Sequence, residues 1–228
     1  MEPEKELKWC STKLGNGISL DAEAKTVSRF ASSGWGVQLT DIFLNSRGDD
    51  TATAVIVCEK LGSEAFFGVV GNNFYPGDWD IALSESLHAT VINASEGRSF
   101  HHQSPGLMQL RPLKAGSRIK IEVDMQLREM RIELLEKSPS TNDIGTFSIS
   151  MEHLPPEVTL AVGFGTGENR VRIESSSVSR SGKHPSNKLH PDLWDEDNKV
   201  QPLALQDTIK ESEQAKMARQ EAKVAAFL

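Results

Sequence analysis

The chain has little with which to cross-link itself, coat nucleic acid or cross a membrane. Two cysteines, Cys10 and Cys58, are too few for a disulfide framework or a four-cysteine zinc site. The formal net charge is −7, which argues against a generic DNA- or RNA-coating role, because neutralising phosphates requires a surface rich in lysine and arginine. No window approaches the roughly 18–20 uninterrupted apolar residues of a membrane helix, and the mean hydropathy is −0.37. The first six residues, Met1-Glu2-Pro3-Glu4-Lys5-Glu6, have neither the basic flank nor the apolar stretch of a secretory signal. These absences predict a soluble, intracellular chain, cytoplasmic with the nucleus left open, that binds no nucleic acid and no membrane. At 228 residues, 38% of them hydrophobic, it is long enough for one ordinary domain plus an extension, or for two small domains.

What the chain does have is short stretches that alternate. In Arg118-Ile119-Lys120-Ile121-Glu122-Val123-Asp124 a period of two puts the three apolar side chains on one face and four charges on the other, which a helix would smear round its circumference. Met130-Arg131-Ile132-Glu133-Leu134 repeats the pattern, so the two stretches read as a hairpin or near neighbours with a turn over 126–128. Further strands are expected over 18–21, 26–30, 35–43, 65–70, 87–92, 146–149, 158–164 and 171–173. Residues 52–58, a continuous run rich in β-branched side chains, read as a central strand covered on both faces. Glycine with Asn or Asp punctuates these segments at 48–50 and 71–73, and Gly165-Thr166-Gly167 does so again. No amphipathic helix separates strands between 15 and 178, so an antiparallel two-sheet β-sandwich is predicted rather than a parallel α/β sheet.

The character changes after Val178. Residues 179–203 are polar and proline-bearing and read as a linker or strap, with Trp194 an anchor back onto the sandwich. Residues 204–228 carry helix composition with a weak apolar stripe of Leu205, Ile209, Met217, Val224 and Leu228. The organisation expected is an N-terminal extension over 1–14, a sandwich over 15–178, the strap, and a C-terminal helix.

The order of several local phrases resembles the SPRY domain family, a concanavalin-like β-sandwich. Ile18-Ser19-Leu20-Asp21 followed by Lys25-Thr26-Val27 is similar to that family's opening strand pair. Residues 55–61 leading to Phe66-Phe67-Gly68-Val69-Val70 are similar to its strand ending in an aromatic-Gly-Val step. The Gly97-Arg98-Ser99-Phe100 loop, the Gly116 turn, the strand ending at Asp124 and the Leu154-Pro155-Pro156 turn into 157–164 follow in the family's order. The resemblance spans about 15–178 and is that of a divergent member: residues 136–145 are longer than the family's turn and lack Asn-Gly, and His88-Ala89-Thr90-Val91 stands where a Trp-bearing strand is usual. It implies a sandwich that binds a protein or peptide through loops gathered at one edge, in settings such as ubiquitin-ligase or chromatin-modifying complexes. Independently of any family, Pro155 and Pro156 lack an N–H and restrict their predecessors, so the strand after them should begin at Glu157.

The candidate contacts follow from the loop Gly71-Asn72-Asn73-Phe74-Tyr75-Pro76-Gly77-Asp78-Trp79-Asp80, which holds three aromatic residues, including the only tyrosine of the chain. Aromatic rings on loops of a rigid scaffold bury large area at small entropy cost. Phe74, Tyr75 and Trp79 are therefore candidate partner contacts, Tyr75 the most exposed of them, with plugging of the sandwich end the alternative for Phe74 and Trp79. Arg98, His101 and His102 are candidates for a second wall, Arg98 offering a fork of donors to a carbonyl or carboxylate. Adjacent strand residues point to opposite faces, so His101 and His102 are not expected to share a metal ion, and no cofactor is implied. Glu122 and Asp124 share a strand face as a glycosidase pair would, but Arg118 and Lys120 share it too, as on a solvated face. Arg47-Gly48-Asp49 reads as a turn, Asn93-Ala94-Ser95 as an idle glycosylation sequon, Cys10 as a free terminal thiol and Cys58 as a core residue. The function expected is a non-catalytic protein–protein interaction module with the C-terminal helix as a second contact. A lectin-like or glycan-hydrolysing sandwich is the alternative, and a structural subunit of a large assembly a further one.

Overall fold

The computed structural model describes residues 5–74, 80–108, 110–135 and 145–180. The expected C-terminal helix, and the strap beyond residue 180, lie outside these residues. The strands in chain order are β1 (Ile18–Leu20), β2 (Thr26–Ala31), β3 (Gly36–Leu39), β4 (Leu44–Asn45), β5 (Thr51–Lys60), β6 (Ala65–Gly71), β7 (Ala89–Asn93), β8 (Arg98–His101), β9 (Ser104–Met108), β10 (Arg118–Asp124), β11 (Glu129–Leu134), β12 (Thr146–Ser150), β13 (Glu157–Phe164) and β14 (Gly167–Ser179). They form two antiparallel sheets. The front sheet runs β1-β2-β14-β5-β10-β11-β12; the back sheet runs β3-β13-β6-β7-β8-β9, with β4 also on β13. The all-β sandwich read from the alternation is the architecture observed, and β13 begins at Glu157, directly behind the two prolines.

The alternating stretches pair in register. Val123 lies opposite Met130, Ile121 opposite Ile132 and Ile119 opposite Leu134. All six are buried; they meet Ala54, Ile56 and Cys58 of β5 and Phe67, Val69, Ile92, Leu160 and Val162 of the back sheet in one core. Cross-strand pairs of this kind are what fix a sheet's register, because a slip of one residue would turn every apolar side chain outward.

Coverage of the strands differs from the sequence reading. β5 alternates buried and half-buried positions, so only its inward face is covered, although it does lie near the middle of its sheet. The strands covered on both faces are β3, β6, β7 and β13. A 3-10 turn at Leu83–Glu85 packs on β7, and Leu83 lies against Gly163, where a Cβ would come within 2.9 Å of its Cγ. Glycine in a strand interior commonly marks such a close approach. The middle of the back sheet thus carries its own cover of chain, while β8 keeps half-buried and exposed positions.

Three further differences have local causes. β14 is longer than the 171–173 expected, because a bulge at Glu174 resets its pairing with β5: Ile173 lies opposite Ile56 and Ser175 opposite Val55. The extra residue carries Val178 back to the inward side, where it is buried. Residues 98–108 form a hairpin, where a loop was read. From Lys5 onward the N-terminal extension packs into the fold. Lys5 bridges to Val178 and Trp9 to Thr40, Leu7 and Trp9 are fully buried, and the Trp9 Nε1–H donates to the Lys25 carbonyl at 2.9 Å. Cys10 is consequently buried like Cys58, and neither is in a disulfide.

Candidate functional site

Strand ends line up at one end of the sandwich. In the back sheet Gly71 closes β6 opposite Val158, Val70 pairs with Ala89, Thr90 with His101, and His101 with Ser104. In the front sheet Asp124 lies opposite both Thr51 and Glu129, and Glu129 opposite Ser150. The connections 40–50, 72–88, 102–103, 125–128 and 151–156 therefore emerge together. Polar bonds tie them across the two sheets. The guanidinium of Arg128, in the β10–β11 turn, donates to the carbonyls of Pro155 and Met151 at 2.9 Å each, and to that of Leu154. Asn45 and Asn72 each donate a side-chain N–H, at 2.9 Å, to the two oxygens of Glu157, which fastens the base of the 72–88 loop to the start of β13.

The candidate residues separate in this frame. Phe74 is 1% exposed, so its ring belongs to the packing and anchors the loop; of the two roles considered for it, the plug is the one its burial describes. Tyr75 and Trp79 lie outside the described residues. His101 and His102 are exposed at the tip of the β8–β9 hairpin. Arg98 is at the opposite end of β8, paired with Asn93, and three residues of strand put its side chain on the other face from His101. Its Nε is 3.8 Å from the Glu96 carboxylate. Arg98 and the two histidines are thus not brought into one wall.

A residue the sequence reading passed over joins the histidines instead. The His153 ring, in the turn before β13, lies 5.8 Å from that of His101 and 5.5 Å from that of His102, the latter edge to face. His153 Nε2 is 3.2 Å from the Thr90 hydroxyl. Burial holds its pKa below the usual histidine value, and His102, His101 and Arg128 push it the same way, against a hydrogen bond with the Ala89 backbone. His102 sits in a turn and not on the strand, so the opposite-face argument made for the pair does not apply to it. Among the described residues no group of three His, Cys, Asp or Glu side chains is arranged to hold a metal ion.

A polar depression of about 500 Å³ opens on the outward side of the front sheet at the same end, lined by Thr51, Thr53, Glu122, Asp124, Arg131 and Ser148 among others. Leu127 stands on its rim, 66% exposed. The carboxylates considered for acid–base work are already engaged. Glu122 is 2.6 Å from Lys120 and 3.8 Å from Arg131, and Asp124 Oδ1 accepts the N–H groups of Gln126 and Leu127, each at 2.9 Å. The glycosylation sequon is closed as well: Asn93 is buried, and its Oδ1 accepts from the Ser95 N–H at 2.9 Å and the Ser95 hydroxyl at 2.8 Å. Arg47-Gly48-Asp49 overlaps the 3-10 turn Ser46–Gly48, capped by Asn45.

Solved structures that resemble this sandwich include two SPRY domains. The SPRY domain of human HERC1 matches with a TM-score of 0.58 and 14% identity, over 72% of this chain and 96% of that one. The TRIM65 PSpry domain matches with a TM-score of 0.53 and 12% identity, over 74% and 92% respectively. At these identities the likeness establishes the fold. No family model matches the sequence, and no curated protein does.

Proposed function

From the premise that this chain carries a SPRY-like β-sandwich, we propose that it is a non-catalytic module that binds a protein or peptide partner at the end where loops 40–50, 72–88, 102–103, 125–128 and 151–156 emerge. The observation that supports this reading is that one rigid frame brings loops of both sheets to one rim, one of them bearing the densest aromatic stretch of the sequence. Scaffold-borne loops with aromatic anchors are how binding surfaces gain area at little entropic cost. Tyr75 and Trp79 are the proposed anchors, with His101 and His102 as further contacts and the buried Phe74 at the base of the loop. Arg98, at the far end of β8, has at most a separate contact. The C-terminal helix over 204–228 is proposed as a second contact, and membership of a larger assembly is consistent with it.

The test is affinity mass spectrometry on the intact chain, repeated with Tyr75→Ala/Trp79→Ala and with Lys114→Ala at the opposite end. The aromatic pair should lose the partner at an unchanged melting temperature, and Lys114→Ala should keep it. Retention of the partner by the aromatic pair would remove the loop from the interface. A collapse in melting temperature would show the rings to be packing. The polar depression beside Glu122 and Asp124 gives the carbohydrate-binding alternative its foothold. A glycan array probed with the wild type and with Thr53→Trp, which fills the depression, decides that reading.

A further inference from the structure

The β8–β9 turn is built against the preferences of its own residues. His102 and Gln103 both have positive φ, 50° and 61°, in a two-residue hairpin turn where Asn-Gly is the favoured pair. Residues held in such conformations persist only where their surroundings over-determine them. Here the His102 N–H donates to the Ala89 carbonyl at 3.4 Å. The Gln103 Nε2–H donates to the Glu85 carbonyl, and the rings of His101 and His102 lie against that of His153.

Burial, and then the charges of His102, His101 and Arg128, disfavour the charged form of His153. A neutral imidazole has one N–H and one acceptor nitrogen. The Thr90 hydroxyl, fully buried, lies 3.2 Å from Nε2, and a hydrogen bond with the Ala89 backbone is the one contact that favours the charged ring. Among the described residues, none of the groups that act on the ring is an anion. The hairpin contributes His101 and His102, and the β10–β11 turn contributes Arg128. β7 contributes the uncharged Ala89 and Thr90. On the turn of His153 itself, Glu152 acts on Arg128, and from the 3-10 turn Glu85 offers its carbonyl to Gln103.

We propose that the rings of His101, His102 and His153 form a proton-operated latch, which holds the tip of the β8–β9 hairpin against the 151–156 turn while His153 is neutral and releases it when His153 is protonated. A proton on His153 places a positive charge where the ring already faces Arg128, so protonation favours separation. β9 is the outermost strand of the back sheet, and the hairpin tip can part from the turn without opening the core. The sign follows from linkage: a histidine whose folded pKa lies below its unfolded value lends its full stability above about pH 6.5 and loses it as the pH falls. The latch does not depend on the identity of any partner.

Hydrogen exchange on the intact chain, followed by mass spectrometry at pH 7.5 and 5.5 and normalised to the intrinsic chemical rate, tests it. Amides over 99–106 and 151–156 should lose about tenfold of their protection at the lower pH, the effect of one pKa unit between closed and released forms, while β5 and β10 amides hold theirs. His101→Asn/His102→Asn changes only exposed residues and places at 102 a residue suited to positive φ. It should abolish most of that loss and raise the His153 titration midpoint measured by NMR. Unchanged wild-type protection at pH 5.5, or a full response in the double variant, overturns the proposal.

Discussion

The contact between Leu83 and Gly163 predicts a coupling that can be measured directly. Leu83 is 1% exposed, and a Cβ at Gly163 would sit 2.9 Å from its Cγ and 3.0 Å from its Cδ1. Gly163→Ala should therefore overpack the seam, costing about 1–3 kcal/mol, offset by the roughly 0.5–1 kcal/mol by which alanine is favoured over glycine in a strand. Leu83→Ala should cost about 2–5 kcal/mol, through lost burial and the cavity left behind. In the double variant the new methyl enters space that the leucine has vacated. The overpacking then disappears and part of the cavity is filled, so the pair should fall short of the sum by about 1–3 kcal/mol, within the range of coupling for residues in contact. Urea unfolding of the four proteins gives each value by linear extrapolation. Additivity within about 0.5 kcal/mol, the behaviour of independent sites, would refute the claim that this leucine pins the 72–88 loop to the back sheet.

Arg128→Ala removes the donors to three carbonyls and should destabilise the chain by about 2–4 kcal/mol in denaturant unfolding; Arg128→Lys, which lacks the planar fork, should recover less than half of that, and full recovery would contradict the clamp. Burial raises the Asp41 carboxyl above its usual range, against the Lys8 N–H that bonds to it and the Lys8 charge. A raised carboxyl lends stability at low pH and loses it as the pH rises through the folded value. Asp41→Asn should therefore raise the melting temperature at pH 7, with the gain vanishing below about pH 4; a fall at pH 7 would reverse the argument.

How legible the fold was depended on where the deciding contacts lie. β10 and β11 could be read outright, because their alternation is local and their inward residues face one another. The mistaken double coverage of β5 and the true double coverage of β6, β7 and β13 look alike in sequence: both are β-branched, apolar runs, and the difference lies in Leu83 and its neighbours folding over one sheet and not the other. The β8–β9 hairpin was missed because His102 and Gln103 are not the residues that announce a two-residue turn. β14 was read short because the bulge at Glu174 breaks its period and Ser175-Ser176-Ser177 hides the continuation. In the candidate site the aromatic loop and the histidine pair were visible as residues. His153 was not, because nothing local links it to residues fifty positions earlier; Arg128 was hidden likewise, its role being set by carbonyls on another turn.

The strand that completes the front sheet is the last one described. β14 lies between β2 and β5, and Lys5 pairs with Val178. A chain emerging from the ribosome therefore holds Leu7, whose N–H bonds to Ser176, and the facing edges of β2 and β5 without their partners until nearly all of the sandwich has been made. Contacts of such long sequence separation favour slow folding, in milliseconds to seconds rather than microseconds. During synthesis the open edges of β2 and β5 are surfaces that a chaperone has reason to cover.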